Sequence, residues 1–205
     1  MAERVYAGMT AQERSSRRFE QFLDAGLEVF ADRGWANGTV SDVCRVAGLS
    51  PRYFYELFGS REDLFHAVTA RIAEDVRELV RRAVSSDPPA SSDPEARARA
   101  VLQALADWFT ADPRTIRVAL MESLATPEFR GRRRDLIESF GVLAAQLMRS
   151  LRGPGDGRDL TTSAAVLTGG LVEVLIGYAT DPGPPVPLDS LVEHLTALYT
   201  AAARM

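Results

Sequence analysis

Residues 39–61, Thr-Val-Ser-Asp-Val-Cys-Arg-Val-Ala-Gly-Leu-Ser-Pro-Arg-Tyr-Phe-Tyr-Glu-Leu-Phe-Gly-Ser-Arg, carry two helix starts with a helix stop between them. The hydroxyl of Thr39 can accept from a first-turn amide, and Asp42, three residues on, can reach back to the cap and complement the positive end of the helix. A helix is therefore predicted from Val40. Val40, Val43, Cys44 and Ala47 recur at three- and four-residue spacing and draw one apolar stripe along about two turns. Gly48 ends that helix, because the turn needs a residue that tolerates positive φ. Ser50 can cap the next one, and Pro51 suits its first position, where a missing N–H costs nothing and φ is preset.

On the second helix Phe54 and Phe58 are four apart and point the same way, toward the first helix, leaving Arg52, Tyr53 and Glu56 on the other faces. Two short helices joined by a tight turn, the second anchored on one side and open on the other, have the layout of a helix-turn-helix that reads DNA. Arg52, near the N-terminal end, has the planar fork that donates twice to a guanine edge and is the candidate for base reading. Ser50, Tyr53 and Tyr55 carry hydroxyls suited to phosphate oxygens, contacts that fix register without specifying sequence. Glu56 can accept from a cytosine amino group or pair with a nearby arginine such as Arg52, and the pairing is the favoured reading.

The rest of the chain bounds this reading. Its 205 residues suffice for one large or two small domains. With 46% hydrophobic residues and a mean hydropathy of -0.09 it reads as soluble and folded. No apolar run approaches the length of a membrane span and the N-terminal residues lack a signal-peptide core, so the cytoplasm is the expected location. Cys44, the single cysteine, can form no internal disulfide and falls on an apolar stripe, as a small core side chain would. A net charge of -4 counts against a polyanion partner. All 24 basic residues are arginine, however, and Arg14, Arg17, Arg18, Arg45, Arg52 and Arg61 lie in or near the motif.

A first helix is predicted over about 14–33, with Phe19, Phe22, Leu23, Gly26, Leu27 and Phe30 as its stripe, Gly34 closing it and Trp35 to Gly38 as connector. Residues 1–12 before it read as a loose tail. Ser60 and Asp63 give a cap signature for a long helix from Arg61 to about Val84, striped by Leu64, Phe65, Val68, Ile72, Val76, Leu79 and Val80. The proline- and serine-rich stretch 85–94 interrupts regular structure, and helical patterns follow over about 95–110, 114–124, 127–151, 160–180 and 188–203. No hairpin signal or sustained alternation occurs, so the fold is expected to be all-α, with a DNA-binding domain over 1–60 and a helical domain over 61–205. The helix over 160–180 is apolar nearly all round and must be covered on most faces. Packing of the last two helices against a second copy would cover it, with Val166, Gly169, Gly170, Val174, Leu191, Leu195 and Leu198 as the candidate dimer interface.

An enzyme is not expected. His66 and His194 are the only histidines, with no second ligand at metal spacing, no nucleophile elbow and no glycine-rich phosphate loop, so no catalytic residue, metal or cofactor is assigned.

The chain as a whole resembles the TetR family of transcriptional regulators. The resemblance spans its length and is specific over about Phe19 to Phe65. It rests on Gly34, Thr39-Val40-Ser41-Asp42, Ala47-Gly48-Leu49-Ser50, Phe54-Tyr55 with Phe58, and Arg61-Glu62-Asp63-Leu64. The resemblance implies that Tyr55 contacts a phosphate, that Thr39 caps the second helix near the phosphates, and that Arg61 meets a phosphate where the family usually has lysine. Arg52-Tyr53 departs from the small Gly-Thr pair common at that place. The resemblance further implies a homodimer on double-stranded palindromic operator DNA, released by a small-molecule effector bound within residues 85–205. Trp108, Phe109, Met121, Phe129, Phe140 and Met148 are the large side chains that could line such a pocket, and ordinary core is the competing reading of each. The rival for the chain as a whole is a helical ligand- or protein-binding module whose helix-turn-helix is only structural.

Overall fold

A computed structural model describes residues 10–85, 93–152, 159–180 and 187–204. Among them every regular element is helical and none is a strand, as the periodicity predicts. The helices are α1 (Ala11–Asn37), α2 (Val40–Ala47), α3 (Pro51–Leu57), α4 (Arg61–Ser85), α5 (Pro94–Ala111), α6 (Arg114–Ile116), α7 (Pro127–Arg152), α8 (Thr161–Thr180) and α9 (Leu188–Arg204). The chain divides between Ala70 and Arg71 into two compact units, so α4 contributes its first residues to one and the remainder to the other.

In the first unit α1 begins at Ala11, earlier than the stripe indicated. Thr10 and Glu13 form a full capping box there, Thr10 Oγ1 accepting from the Glu13 amide at 3.1 Å and the Glu13 carboxylate accepting from the Thr10 amide. Residues 11 and 12 are thus helical, while the remainder of the expected tail, 1–9, lies outside the described residues. At the other end the helix does not stop at Gly34 but kinks there. Gly34 adopts φ 71°, ψ 166°, a backbone that side chains with a Cβ avoid, and one more turn follows to Asn37.

The face of α1 carrying Phe22, Leu23, Leu27 and Phe30 is buried. Phe22 meets Phe54 of α3 edge-on at 5.5 Å and Phe58 at 6.0 Å, while Phe19 stacks on Phe58 at 5.2 Å. A second cluster joins Phe30, Trp35 and Phe65 at centroid distances of 5.2–5.7 Å. Such edge-to-face pairs add about 0.5–1.5 kcal/mol each to the burial of the rings.

In the second unit the core is drawn from α5, α7, α8 and α9, with Ala98, Val101, Met148, Ala164, Val192 and Ala203 among its most enclosed members. Asp93 caps α5 by accepting from the Glu95 amide at 3.0 Å, with Pro94 at its first position. The segment 114–124, expected as one helix, is three pieces. α6 is followed by a wide π turn over Arg117–Met121 and a tight 3₁₀ turn over Glu122–Leu124. α8 is long and apolar enough to cross a membrane by length and composition, with a mean hydropathy of 1.4, yet only 22% of that stretch is buried.

Truncating Phe22 to alanine is expected to destabilise the protein by about 3–5 kcal/mol, because the ring is fully enclosed between α1 and α3. The same change at exposed Tyr55 should stay within about 0.5 kcal/mol, and urea denaturation of the two variants checks the contrast.

Candidate functional site

The start of α2 is built as the sequence indicates. Thr39 Oγ1 accepts from the Asp42 amide at 3.2 Å, and Asp42 Oδ2 accepts from the Thr39 amide at 3.2 Å and from its hydroxyl at 2.6 Å. Asp42 also binds Arg33 of α1 at 2.8 Å and lies 3.7 Å from Arg45. The Thr39 hydroxyl bond, chiefly, holds the Asp42 carboxyl below its ordinary value, with the Thr39 amide, Arg33 and Arg45 acting in the same direction and burial opposing them. Gly48 ends α2 at φ 66° and its amide closes onto the last carbonyls.

α3 then starts at Pro51, but Ser50 makes no side-chain cap. Its carbonyl instead accepts from the amides of Tyr53 and Phe54 at 3.0 and 3.4 Å, which corrects the capping expectation and leaves the hydroxyl exposed. Phe54 is buried as predicted, and Phe58 follows it into the aromatic cluster.

The opposite side of α3 is open. Arg52 is 85% exposed and its Nε donates to Glu56 at 3.1 Å, the pairing favoured over a cytosine contact. A surface pair of this kind is worth about 0–1 kcal/mol. It uses one nitrogen of the fork, so both terminal nitrogens stay available. Tyr55 is 61% exposed, resting edge-on against Phe54 at 5.2 Å. Tyr53 is partly exposed, with the Arg18 guanidinium 4.4 Å from its ring centroid.

Arg61 is placed differently from its phosphate-facing expectation. Its guanidinium lies 3.8 Å from the Trp35 ring centroid, and Nη1 donates to the carbonyls of Trp35 and Gly38 at 3.1 and 2.5 Å. The side chain therefore clamps the connector between α1 and α2. Three contacts were missed in the sequence: Arg18 on Tyr53, Arg33 on Asp42 and this clamp. Each joins different elements, and no local spacing announces such pairs.

Among the described residues, two apolar cavities of about 80 and 90 Å³ lie in the second unit. Of the expected pocket residues, Phe109 lines both and Phe140 lines the larger-walled one, which also takes Ile72, Val76 and Val80 of α4. Phe129 and Met148 are sealed in the core and Trp108 and Met121 are half-buried, all four outside both linings. Trp108 does meet Phe109 edge-on at 4.9 Å.

The expected dimer residues also divide. Val166 and Leu198 are 68% and 51% exposed, and Gly169 and Gly170 are exposed beside them on α8. Val174 is half-buried against the core, and Leu191 and Leu195 are buried inside their own bundle, where they line the second cavity. The leucine stripe of α9 therefore faces inward, and those three residues are not part of an open face.

A capped α2, a left-handed glycine turn and a proline-started α3 seated on α1 make the first unit a helix-turn-helix domain of the DNA-binding type. The model of the family described as bacterial regulatory proteins, tetR family, matches residues 22–68. Over those residues the chain is similar to that family. It is 30% identical over 113 residues to the HTH-type transcriptional activator FasR of Mycolicibacterium smegmatis, covering 55% of this chain and 49% of that one, so it spans about half the length of this curated relative. The fold is similar to that of the fatty acid degradation regulator FadR from Bacillus halodurans, with a TM-score of 0.76 at 18% identity over 89% of this chain and 94% of that one. It is similar also to FadR from Bacillus subtilis in complex with stearoyl-CoA, with a TM-score of 0.71 at 17% identity over 90% and 98%.

The depressed Asp42 carboxyl makes a pH prediction. A group with a lowered folded pKa stabilises above its ordinary value of 3.8 and loses that contribution as pH falls through the folded value. Asp42→Asn is expected to be less stable than the parent at pH 7, with the gap closing toward pH 3 in thermal melts. A gap independent of pH would show that the cap acts without its charge.

Proposed function

We propose that the protein is a homodimeric, cytoplasmic transcriptional regulator that occupies a palindromic operator and leaves it when a small molecule fills the second unit. The observation that carries this reading is the open side of α3, where Arg52, Tyr53 and Tyr55 stand on a helix locked from behind by Phe54. Arg52 reads a guanine edge in the major groove, exchanging Glu56 for the base at small cost. Thr39, Ser50, Tyr53 and Tyr55 meet phosphates, with Pro51 setting the start of the helix that presents them. Arg61 serves the same surface from inside by holding the α1–α2 connector.

The exposed faces of α8 and α9, centred on Val166, Gly169, Gly170 and Leu198, pack against the second copy. Small residues allow close approach there, and their coverage removes an apolar surface that water does not favour. The effector lies in the apolar cavities beside Phe109 and Phe140. α4 supplies the coupling, since its first residues, Leu64 and Phe65, belong to the core of the first unit and its later ones line the cavity. A coupling of about 1–3 kcal/mol suffices for regulation.

The test is binding to duplexes from the protein's own upstream region and to random duplex at fixed salt. The parent is expected to prefer the upstream site. Arg52→Ala should reduce that preference by roughly ten- to a hundredfold, while Tyr55→Phe weakens every duplex alike and leaves the preference standing. Equal effects of the two substitutions would sink the division of roles. Equal, salt-sensitive binding of all duplexes by the parent would favour a helix-turn-helix that is only structural.

A further inference from the structure

Among the described residues, Arg18 is a cation without an anionic partner. It stands one helical turn before Phe22, on the face of α1 that seats α3 through Phe22 and Phe54, so its side chain reaches α3 at the rim of that core. There the guanidinium lies over the Tyr53 ring, 4.4 Å from its centroid. No described carboxylate pairs with it, and Nε is buried without a hydrogen-bond acceptor. The arginines around it differ, Arg33 and Arg45 having Asp42 and Arg52 having Glu56. A desolvated donor and an uncompensated charge are both unfavourable, and a tyrosine face offsets only part of that. The side chain as a whole is half-buried while Nε is enclosed, so its outward part is the pair of terminal nitrogens. The ring attracts the guanidinium through its π face, which leaves those terminal N–H groups for an acceptor from outside.

Tyr53 shows from which side that acceptor comes. It is 37% exposed on the open side of α3, beside Arg52 and two positions before Tyr55. An acceptor that reaches Arg18 therefore approaches from the side on which α3 meets the duplex. A helix in the major groove is flanked by phosphates, and the guanidinium fork matches two oxygens of one phosphate.

We propose that Arg18 is a DNA-contacting residue, its terminal nitrogens donating to a backbone phosphate beside the groove that α3 enters and the Tyr53 ring serving as the platform that aims it. This rests on the reading of α3 as the groove-entering helix and adds to it a contact from α1, an element otherwise assigned only to the core. Tyr53 then has two separable parts, a hydroxyl for its own phosphate and a ring that holds Arg18. The contact strengthens binding to every sequence, because a phosphate carries no base identity.

The experiment measures binding of the full chain to the upstream duplex and to random duplex across a salt series, with thermal melts to establish folding. Arg18→Gln is expected to weaken both by roughly tenfold at low salt, to leave their ratio standing, and to flatten the slope of log affinity against log salt by about one. A phosphate whose ethylation weakens binding of the parent should lose that effect in Arg18→Gln. Tyr53→Leu should flatten the slope more than Tyr53→Phe, which keeps the ring. Equal slopes for the two Tyr53 variants would overturn the proposal, and this comparison stands even if Arg18→Gln does not fold. An unchanged slope in folded Arg18→Gln, or persistence of every interfering phosphate, would overturn it and make Arg18 a structural residue. A loss confined to the upstream duplex would overturn it by showing base reading. A parent without preference between duplexes would count against the reading of α3, while the slope of Arg18→Gln would still decide the phosphate contact.

Discussion

The contact between Phe22 of α1 and Phe54 of α3 is the one on which the DNA-facing surface depends. α3 is seven residues long, and a helix of that length has no stability of its own in water. It exists because Phe54 and Phe58 are enclosed by rings from α1, which fixes its axis and its rotation together. Rotation matters most. With Phe54 held inward, Arg52, Tyr53 and Tyr55 are left outward by helical geometry alone, and no further interaction is needed to present them.

The same unit shows how an acidic chain can carry a surface for a polyanion. With 28 acidic against 24 basic residues the net field is unfavourable, so attraction must come from local arginines. Three near the motif are held lightly: Arg52 by Glu56, Arg18 over Tyr53 and Arg45 by Asp42. Exposed pairs of this strength orient a side chain without committing it, and a phosphate or a guanine edge can outcompete them. Arg33 and Arg61 differ, being spent on internal geometry, one on the capping aspartate and the other on two connector carbonyls.

Local chemistry was legible in the sequence, and contacts between elements were not. The Thr39–Asp42 box, the Gly48 turn and Pro51 involve groups within a few residues of one another, and their geometry follows from residue type. Ser50 shows the margin of such reasoning, since a capping residue at the right place left its hydroxyl out of the cap. Arg61 was legible as the start of α4 but not as a clamp, because Trp35 and Gly38 lie far back along the chain. In the second unit, size and apolarity marked Phe109, Phe140, Phe129 and Met148 equally, and only tertiary packing separates a wall from a core. Leu191 and Leu195 teach the same point: a stripe states that one face is covered, not by which partner.

Methylation protection of guanine N7 on an upstream duplex bound by the protein tests the central claim most directly, because that atom lies in the major groove where Arg52 is held to read. The account predicts protected guanines in two symmetric half-sites one helical turn, or a multiple, apart, lost selectively in Arg52→Ala. Firm binding with every guanine N7 still reactive would mean that α3 does not enter the major groove, and the account would be wrong at its centre.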